Sequence, residues 1–246
     1  MKLARMPDGS PEIFYTLQGE GRHTGSPSVF IRASLCNLSC RWCDTAYTWN
    51  WDDTNFEHDS GTKFKRDEQI IDCQTSEIVK TVGEFPCSNY VFTGGEPLLQ
   101  EKAWVDLMSA LTDILEVKHF EVETNGTLFP GDEFISHINQ FNVSPKLSNS
   151  GVAEEKRFNP EALGQLADTG KADFKFVIGD ESDFIEVVTM IEQCRLPADH
   201  IFLMPKAISA GELEANQAFV AELARSNGFQ YSDRLHLRLY GAKRGV

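Results

Sequence analysis

The sequence predicts an α/β fold in which parallel βα units form a whole or partial barrel. Three observations predict it. Short β-rich runs alternate with segments of helical period, as parallel βα units require. Polar and glycine-rich tetrads stand at the ends of several of those runs. The chain is 246 residues long with 41% hydrophobic content, enough for one large core and typical of a single α/β barrel domain.

The β-rich runs are Ser28 to Ala33, Asn89 to Thr93, His119 to Thr124, Phe141 to Pro145, Ala172 to Ile178, His200 to Pro205 and Leu235 to Tyr240. Between them, Trp104, Leu107, Met108, Leu111 and Leu115 follow the i, i+3, i+4, i+7, i+11 spacing of one helix face, and Phe184, Val187, Val188 and Ile191 repeat it. Both stripes are expected to pack on the sheet. Asn50 to Gln74 is charged and without clean period, so it reads as a variable insertion into a single domain spanning 1–246.

The formal net charge of -14 repels phosphate backbones, which disfavours nucleic acid as a partner and favours a small-molecule substrate. No run approaches the roughly 18 apolar residues that span a bilayer, and Met1 to Ser10 is polar where a signal peptide would be apolar. A cytoplasmic protein with reduced thiols is expected.

Three of the six cysteines lie close together: Cys36-Asn37-Leu38-Ser39-Cys40-Arg41-Trp42-Cys43, a C-x3-C-x2-C pattern directly after a predicted strand. Such spacing points to metal ligation rather than disulfides. Thiolates are the soft ligands of iron-sulfur clusters, and three of them on a four-iron cluster leave one iron open to an external chelate. A zinc knuckle with a distant fourth ligand is the competing reading, although no second C-x2-C or H-x3-H pair is present. Cys73, Cys87 and Cys194 are isolated and read as small buried hydrophobes.

The tetrads supply an independent signal. Thr93-Gly94-Gly95-Glu96-Pro97, Glu123-Thr124-Asn125-Gly126, Ser144-Pro145-Lys146 and Met204-Pro205-Lys206 each end a predicted strand. In a parallel barrel all strand C-termini open on one face, so these segments should converge on one site.

The cysteine loop, with an aromatic residue before its third cysteine, resembles the signature of the radical S-adenosylmethionine (SAM) superfamily, and Gly94-Gly95-Glu96-Pro97 resembles that superfamily's motif for the SAM amino group. The flanks narrow the likeness. Ile13-Phe14-Tyr15-Thr16-Leu17-Gln18-Gly19-Glu20-Gly21, Phe30-Ile31-Arg32, Cys43-Asp44-Thr45 and Ser144-Pro145-Lys146 resemble the 7-carboxy-7-deazaguanine synthase family of queuosine and deazapurine biosynthesis, from Ile13 to the Arg244-Gly245-Val246 end. That resemblance implies a partial or modified (β/α) TIM-type barrel. It also implies a lyase that converts 6-carboxy-5,6,7,8-tetrahydropterin to 7-carboxy-7-deazaguanine with loss of ammonia. The cofactors it implies are a 4Fe-4S cluster, SAM and Mg2+. In such enzymes the reduced cluster cleaves SAM, the 5'-deoxyadenosyl radical removes a substrate hydrogen atom, and SAM is regenerated.

Carried over residue by residue, the resemblance gives Cys36, Cys40 and Cys43 to the cluster. Trp42, Cys43, Asp44, Gly94, Gly95, Glu96, Glu123, Asn125, Ser144, Pro145 and Lys146 would bind SAM, with Lys146 a point charge for its carboxylate. Leu17, Gln18, Gly19, Glu20, Arg32 and Thr93 would bind substrate. The guanidinium fork of Arg32 suits a carboxylate, although an arginine at a strand end also serves in ordinary ion pairs. Thr45 would contact magnesium, which takes few protein oxygens; a threonine after an acidic residue is otherwise a turn cap. Met204 to Ala207 and the C-terminus are looser matches to ligand-contact segments. A homodimer and a flavodoxin or ferredoxin as electron donor are further implied. The alternatives are an activating enzyme for a glycyl radical protein, from the same superfamily, and a non-catalytic iron-sulfur or zinc-binding module.

Overall fold

The computed structural model describes the whole chain, Met1–Val246. Its strands are β1 (Lys2–Ala4), β2 (Ile13–Leu17), β3 (Pro27–Ala33), β4 (Ile70–Asp72), β5 (Asn89–Gly94), β6 (His119–Thr124), β7 (Gln140–Val143), β8 (Ala172–Ile178), β9 (Ile201–Pro205) and β10 (Gln230–Tyr231). The helices are α1 (Arg66–Gln69), α2 (Thr75–Val82), α3 (Glu101–Ile114), α4 (Asp132–His137), α5 (Glu154–Arg157), α6 (Pro160–Asp168), α7 (Glu181–Cys194), α8 (Ala210–Asn227) and α9 (Leu235–Tyr240). None is long and apolar enough to cross a membrane.

All strands belong to one sheet of order β10-β9-β8-β7-β6-β5-β3-β1-β4, with β2 also on β3. From β3 through β5 to β10 every pairing is parallel, whereas β1, β2 and β4 add antiparallel pairings at one edge. No ladder joins β10 back to the other edge, so the barrel is partial, as expected. The seam is bridged by single bonds instead: Gly21 N–H donates to Ser232 Oγ at 2.8 Å and Leu235 N–H to the Gly19 carbonyl at 2.9 Å.

Strand alternation sorts residues onto two faces. Val29, Ile31, Tyr90, Phe92, Phe120, Val122, Phe141, Val143, Phe174 and Phe176 join the main core with the helices. The intervening positions Arg32, Thr93, Glu121, Glu123, Asn142, Asp173 and Lys175 therefore share the inner face, and the site is built there. Four residues of the predicted α3 stripe, Trp104, Leu107, Met108 and Leu111, have 0% exposure, while Leu115 lies just past the helix end and is partly buried. Trp104 stacks on Phe92 with centroids 4.5 Å apart, and its indole N–H donates to the Pro97 carbonyl at 2.9 Å. This packing ties the turn after β5 to the core; truncating such an aromatic costs about 3 to 5 kcal/mol.

Some expectations need correction. Leu235 to Tyr240 forms helix α9, not a strand. Its leucines alternate with polar residues, a β-like pattern, yet only Leu237 is buried, and Leu235 N–H is committed to the loop at Gly19. The last parallel strand is the short β10, just before it. The runs at Phe141 and His200 are shifted by a residue or two, since Pro145 lies beyond β7 and His200 ends a 3-10 turn before β9. The charged stretch from Asn50 to Gln74 contributes α1 and the edge strand β4, whose Ile70 and Ile71 pair with β1. Strands β1 and β2 are additions that no periodicity announced. Cys73 and Cys194 are buried as read, but Cys87 is only half-buried.

Candidate active site

β3 delivers Ala33 to the top of the sheet, and the chain there turns into the cysteine loop through Leu35, which adopts φ 76°. All six cysteines are free thiols. Cys36, Cys40 and Cys43 pack around Leu38 and Val152, an apolar bed that keeps water away. Burial pushes all three thiols up, Cys40 to about 11 even with the Lys146 ammonium pulling it down. Ionised sulfurs are thus unfavourable here unless metal ions replace their protons, and three soft ligands in an apolar bed fit an iron-sulfur group.

The glycine turn is welded to this loop. Gly95 N–H donates to the Ala33 carbonyl at 3.1 Å and Glu96 N–H to the Leu35 carbonyl at 2.8 Å. A Cβ on Gly94 (φ +130) would stand 2.1 Å from the Ala33 carbonyl oxygen, and one on Gly95 only 1.9 Å from that of Leu35. No side chain fits at either position, which is the physical need for two glycines. The Gly95 carbonyl takes no hydrogen bond from the chain, leaving an acceptor at the site.

Glu96 is completely buried. Its carboxylate accepts from Leu98 N at 3.0 Å, Thr124 Oγ1 at 2.8 Å and Asn125 N at 2.8 Å. Burial still pushes its carboxyl up, against those donors. Asn125 reaches the cysteine loop from the end of β6: its Nδ2 donates to Asn37 Oδ1 at 2.8 Å, and Asn37 donates to Thr127 Oγ1 at 2.8 Å. Trp42 donates through its indole to the Asn149 carbonyl at 2.9 Å, and Lys146 Nζ lies 5.6 Å from the Trp42 ring centroid and bonds Ser144 Oγ at 2.9 Å. The ends of β3, β5, β6 and β7 are thereby joined into one rim, which brings three of the four strand-end segments together.

Below the rim, Thr93 Oγ1 donates to Glu123 Oε2 at 2.6 Å. Gln18 is 1% exposed, and its Nε2 lies 2.5 Å from Glu121 Oε1 and 3.4 Å from Glu123 Oε1. Gly19 packs against His236, whose Nδ1 would lie 2.5 Å from an added Cβ. Arg32 gives its Nε to the buried Glu12 at 2.7 Å, while its two terminal nitrogens have no protein partner. Leu17 closes β2, and Thr45 Oγ1 lies 3.5 Å from Cys43 Sγ.

Sequence reasoning missed several residues that hold this site together. Arg234 bonds Glu20 at 2.9 Å, Asp44 at 2.5 Å and the Ala207 carbonyl, so it links the hairpin loop, the cysteine loop and the Met204 to Ala207 segment. Glu20 also pairs with Lys175, and these cations hold its carboxyl well below the usual range despite its burial. Arg234 likewise outweighs burial to lower Asp44. Glu12 takes Arg32, the Tyr47 hydroxyl at 3.0 Å and Arg244 Nε at 2.7 Å, with Arg244 stacked 3.6 Å from the Tyr47 ring centroid. The C-terminus is therefore anchored beside Arg32. From the charged stretch, His58 Nε2 meets the Cys43 carbonyl at 2.8 Å and Asp59 pairs with Arg41 at 3.1 Å, bracing the cysteine loop from outside. No motif marked Glu12, Lys175 or Arg234; Glu12 shows only as an isolated charge beside the apolar Ile13 and Phe14.

Comparison with known proteins identifies the family. A family model described as the Radical SAM superfamily matches residues 31–150. The 7-carboxy-7-deazaguanine synthase of Halobacterium salinarum is 35% identical over 93% of this chain and 89% of its own. The enzyme of the same name from Pyrobaculum aerophilum is 34% identical over 95% of each. Among solved structures, the crystal structure of QueE from Escherichia coli superposes with a TM-score of 0.65, covering 96% of this chain and 95% of the other; at 24% identity it speaks for the fold.

Proposed function

The chain belongs to the 7-carboxy-7-deazaguanine synthase family of radical SAM enzymes, and from that premise we propose how its residues divide the work of converting 6-carboxy-5,6,7,8-tetrahydropterin to 7-carboxy-7-deazaguanine with loss of ammonia. It is a radical SAM lyase of deazapurine and queuosine biosynthesis, using a 4Fe-4S cluster, SAM and Mg2+. The glycyl-radical activating enzyme and the non-catalytic metal module find no support in these relatives. The observation that carries the residue assignment is the rim itself, where the cysteine loop, the glycine turn and the ends of β6 and β7 are hydrogen-bonded into one surface.

Cys36, Cys40 and Cys43 hold the cluster, which when bound and reduced supplies the electron that opens SAM. The free Gly95 carbonyl accepts from the methionine ammonium, and Lys146 meets the carboxylate. Glu96 and Asn125 have their side chains committed to the chain, so they act as positioning residues that lock β6 to the cysteine loop. Trp42 to Asp44, Ser144 and Pro145 shape the adenosyl side, and Glu123 faces the ribose or substrate. The unpaired edge of Arg32 takes the pterin carboxylate in a fork, while Glu12 and Arg244 fix its orientation. Leu17 to Glu20 and Thr93 contact the rest of the pterin, and Thr45 gives magnesium one oxygen.

Residues 1–246 function as one domain in the cytoplasm, as a homodimer, with a flavodoxin or ferredoxin as reductant and without nucleic acid. The test is catalytic. Anaerobically reconstituted protein supplied with dithionite, SAM, Mg2+ and the carboxytetrahydropterin should yield 7-carboxy-7-deazaguanine without net consumption of SAM. Accumulation of 5'-deoxyadenosine with no deazaguanine would contradict the reading.

A further inference from the structure

The end of the barrel opposite the cysteine loop carries a compact set of ligand-type side chains that the synthase reading does not use. His119 opens β6 and Glu121 stands two residues on, so both point to the same face. His23 reaches them from the hairpin loop between β2 and β3. Glu121 Oε2 lies 2.8 Å from His23 Nδ1 and 3.4 Å from His119 Nε2, and the three ligand atoms fall within 4.8 Å of one another. No other group of three ligand-type residues in the chain closes so tightly.

Two details distinguish this cluster from an ordinary hydrogen-bond network. The first is His119 Nε2, the one buried side-chain nitrogen or oxygen in the protein without a hydrogen-bond partner; its approach to Glu121 is not aligned as a hydrogen bond. Leaving a buried polar atom unpaired costs about 1 to 3 kcal/mol, so it calls for a partner. The second is the division of labour at Glu121, whose side chain is 2% exposed. Its Oε1 accepts from Gln18 Nε2 and from Asn142 Nδ2, which orients the carboxylate and leaves Oε2 turned to the two imidazoles. Donors of that kind commonly set the outer shell of a metal ligand.

We propose that His23, His119 and Glu121 form a second metal site, separate from the cysteine loop, that binds one divalent ion of the zinc class. Two imidazoles and a carboxylate suit zinc, whereas magnesium and calcium prefer oxygen ligands throughout. In a tetrahedral site with metal-ligand bonds of about 2.1 Å, neighbouring ligand atoms stand about 3.4 Å apart; His119 Nε2 and Glu121 Oε2 already have that spacing, and the hydrogen-bonded His23 Nδ1 at 2.8 Å would open to it as the ion replaces the shared proton. The partial exposure of both histidines, 34% and 25% of their side chains, leaves room for water in the fourth position. Arg22 is the nearby cation, and its charge is neutralised by a two-pronged pair with Asp173 at 2.7 Å.

The ion would pin the hairpin loop to β6. That loop begins with Gln18, Gly19 and Glu20, and Gln18 shares the carboxylate of Glu121 with the site. Thr124 at the rim is three residue steps from Glu121, a rise of about 10 Å along the strand. The site is thus a clamp beneath the rim and takes no part in the radical chemistry.

The test uses cluster-loaded protein, so that the cysteines are already occupied. It is equilibrated anaerobically with buffered free zinc, passed through a desalting column, and analysed for zinc and iron by mass spectrometry. The expected result is a zinc to protein ratio of about one, beyond the cluster iron. His119→Ala and His23→Ala each abolish that zinc while iron is unchanged. His200→Ala, which removes a neighbouring imidazole bonded to Asp173 and outside the site, keeps it. Zinc should also raise the melting temperature of the wild type and leave both site variants where they were. Wild-type protein that retains no zinc, variants that retain as much as wild type, or equal loss in His200→Ala would each overturn the assignment. Metal content is read without turnover, so this result and that of the synthase assay stand apart.

Discussion

The two ends of the same strands treat their polar groups in opposite ways. At the lower end, Glu121 is met by Gln18, Asn142 and His23, and Asp173 holds both Arg22 and His200. At the upper end, three thiols, the Gly95 carbonyl and the outer edge of Arg32 are left without strong partners. The lower end closes the barrel and is satisfied from within the chain, save for His119 Nε2. The upper end is held rigid by neighbours such as Glu96 and Asn125, while the groups proposed to meet ligands are withheld from internal pairing. The proposed chemistry sits where a stiff scaffold leaves chosen groups free, at the strand C-termini as in other parallel barrels.

Substitutions at the two ends should therefore fail differently. The largest effect is expected at the thiols: Cys40→Ala should lose the cluster's visible absorption and reduce product formation by about 1000-fold or more, since two cysteines rarely retain such a cluster. A brown, active variant would break the contrast. Next comes the weld between turn and loop. Gly95→Ala places a Cβ 1.9 Å from the Leu35 carbonyl oxygen, and overpacking of that severity costs upwards of about 3 kcal/mol, a melting shift of about 6 to 12 °C for a chain this long. An unchanged melting temperature would show that the loop yields freely.

At the lower end the effect should depend on pH. Burial opposes ionisation of Glu121, but the His23 imidazole and the Gln18 amide bonded to it, with His119 close by, outweigh burial and lower its carboxyl from 4.5 to about 2. A lowered carboxyl contributes stability that is full above the unfolded value and lost as pH falls toward the folded one. Glu121→Gln should thus lower stability by about 2 to 3 kcal/mol at neutral pH, and the gap should close between pH 4.5 and about 2. Denaturation curves across that range would check it, and a pH-independent difference would contradict it. Smallest is Arg32→Ala, expected to cut kcat/KM for the pterin by about 10- to 100-fold, roughly 2 kcal/mol, while 5'-deoxyadenosine formation without substrate persists. Equal loss in both reactions would make Arg32 structural, through Glu12.

The upper end was far more legible in the sequence than the lower. Cys36, Cys40 and Cys43 lie within one loop, and Gly94 to Pro97 within one turn, so their chemistry is written in adjacent letters. Arg234, Glu12 and Lys175 act across distance: Arg234 meets Glu20 from 214 residues away, and Arg244 meets Glu12 from 232. Such pairs have no period or spacing to betray them. Helix α9 misled for a related reason, because its alternating leucines look like a strand while the loop at Gly19 and the burial of Leu237 decide its conformation. Inner-face positions such as Glu121 and Lys175 were hidden within strands whose apolar neighbours dominate the pattern.

Electron paramagnetic resonance of the dithionite-reduced, anaerobically reconstituted protein, recorded with and without SAM, tests most directly whether the upper rim is the reactive end. A reduced four-iron signal whose g values shift on adding SAM is expected, since under the proposed assignment Cys36, Cys40 and Cys43 would hold three irons and leave the fourth for SAM. A reconstituted protein with no such signal, or with one that SAM leaves unchanged, would contradict the account.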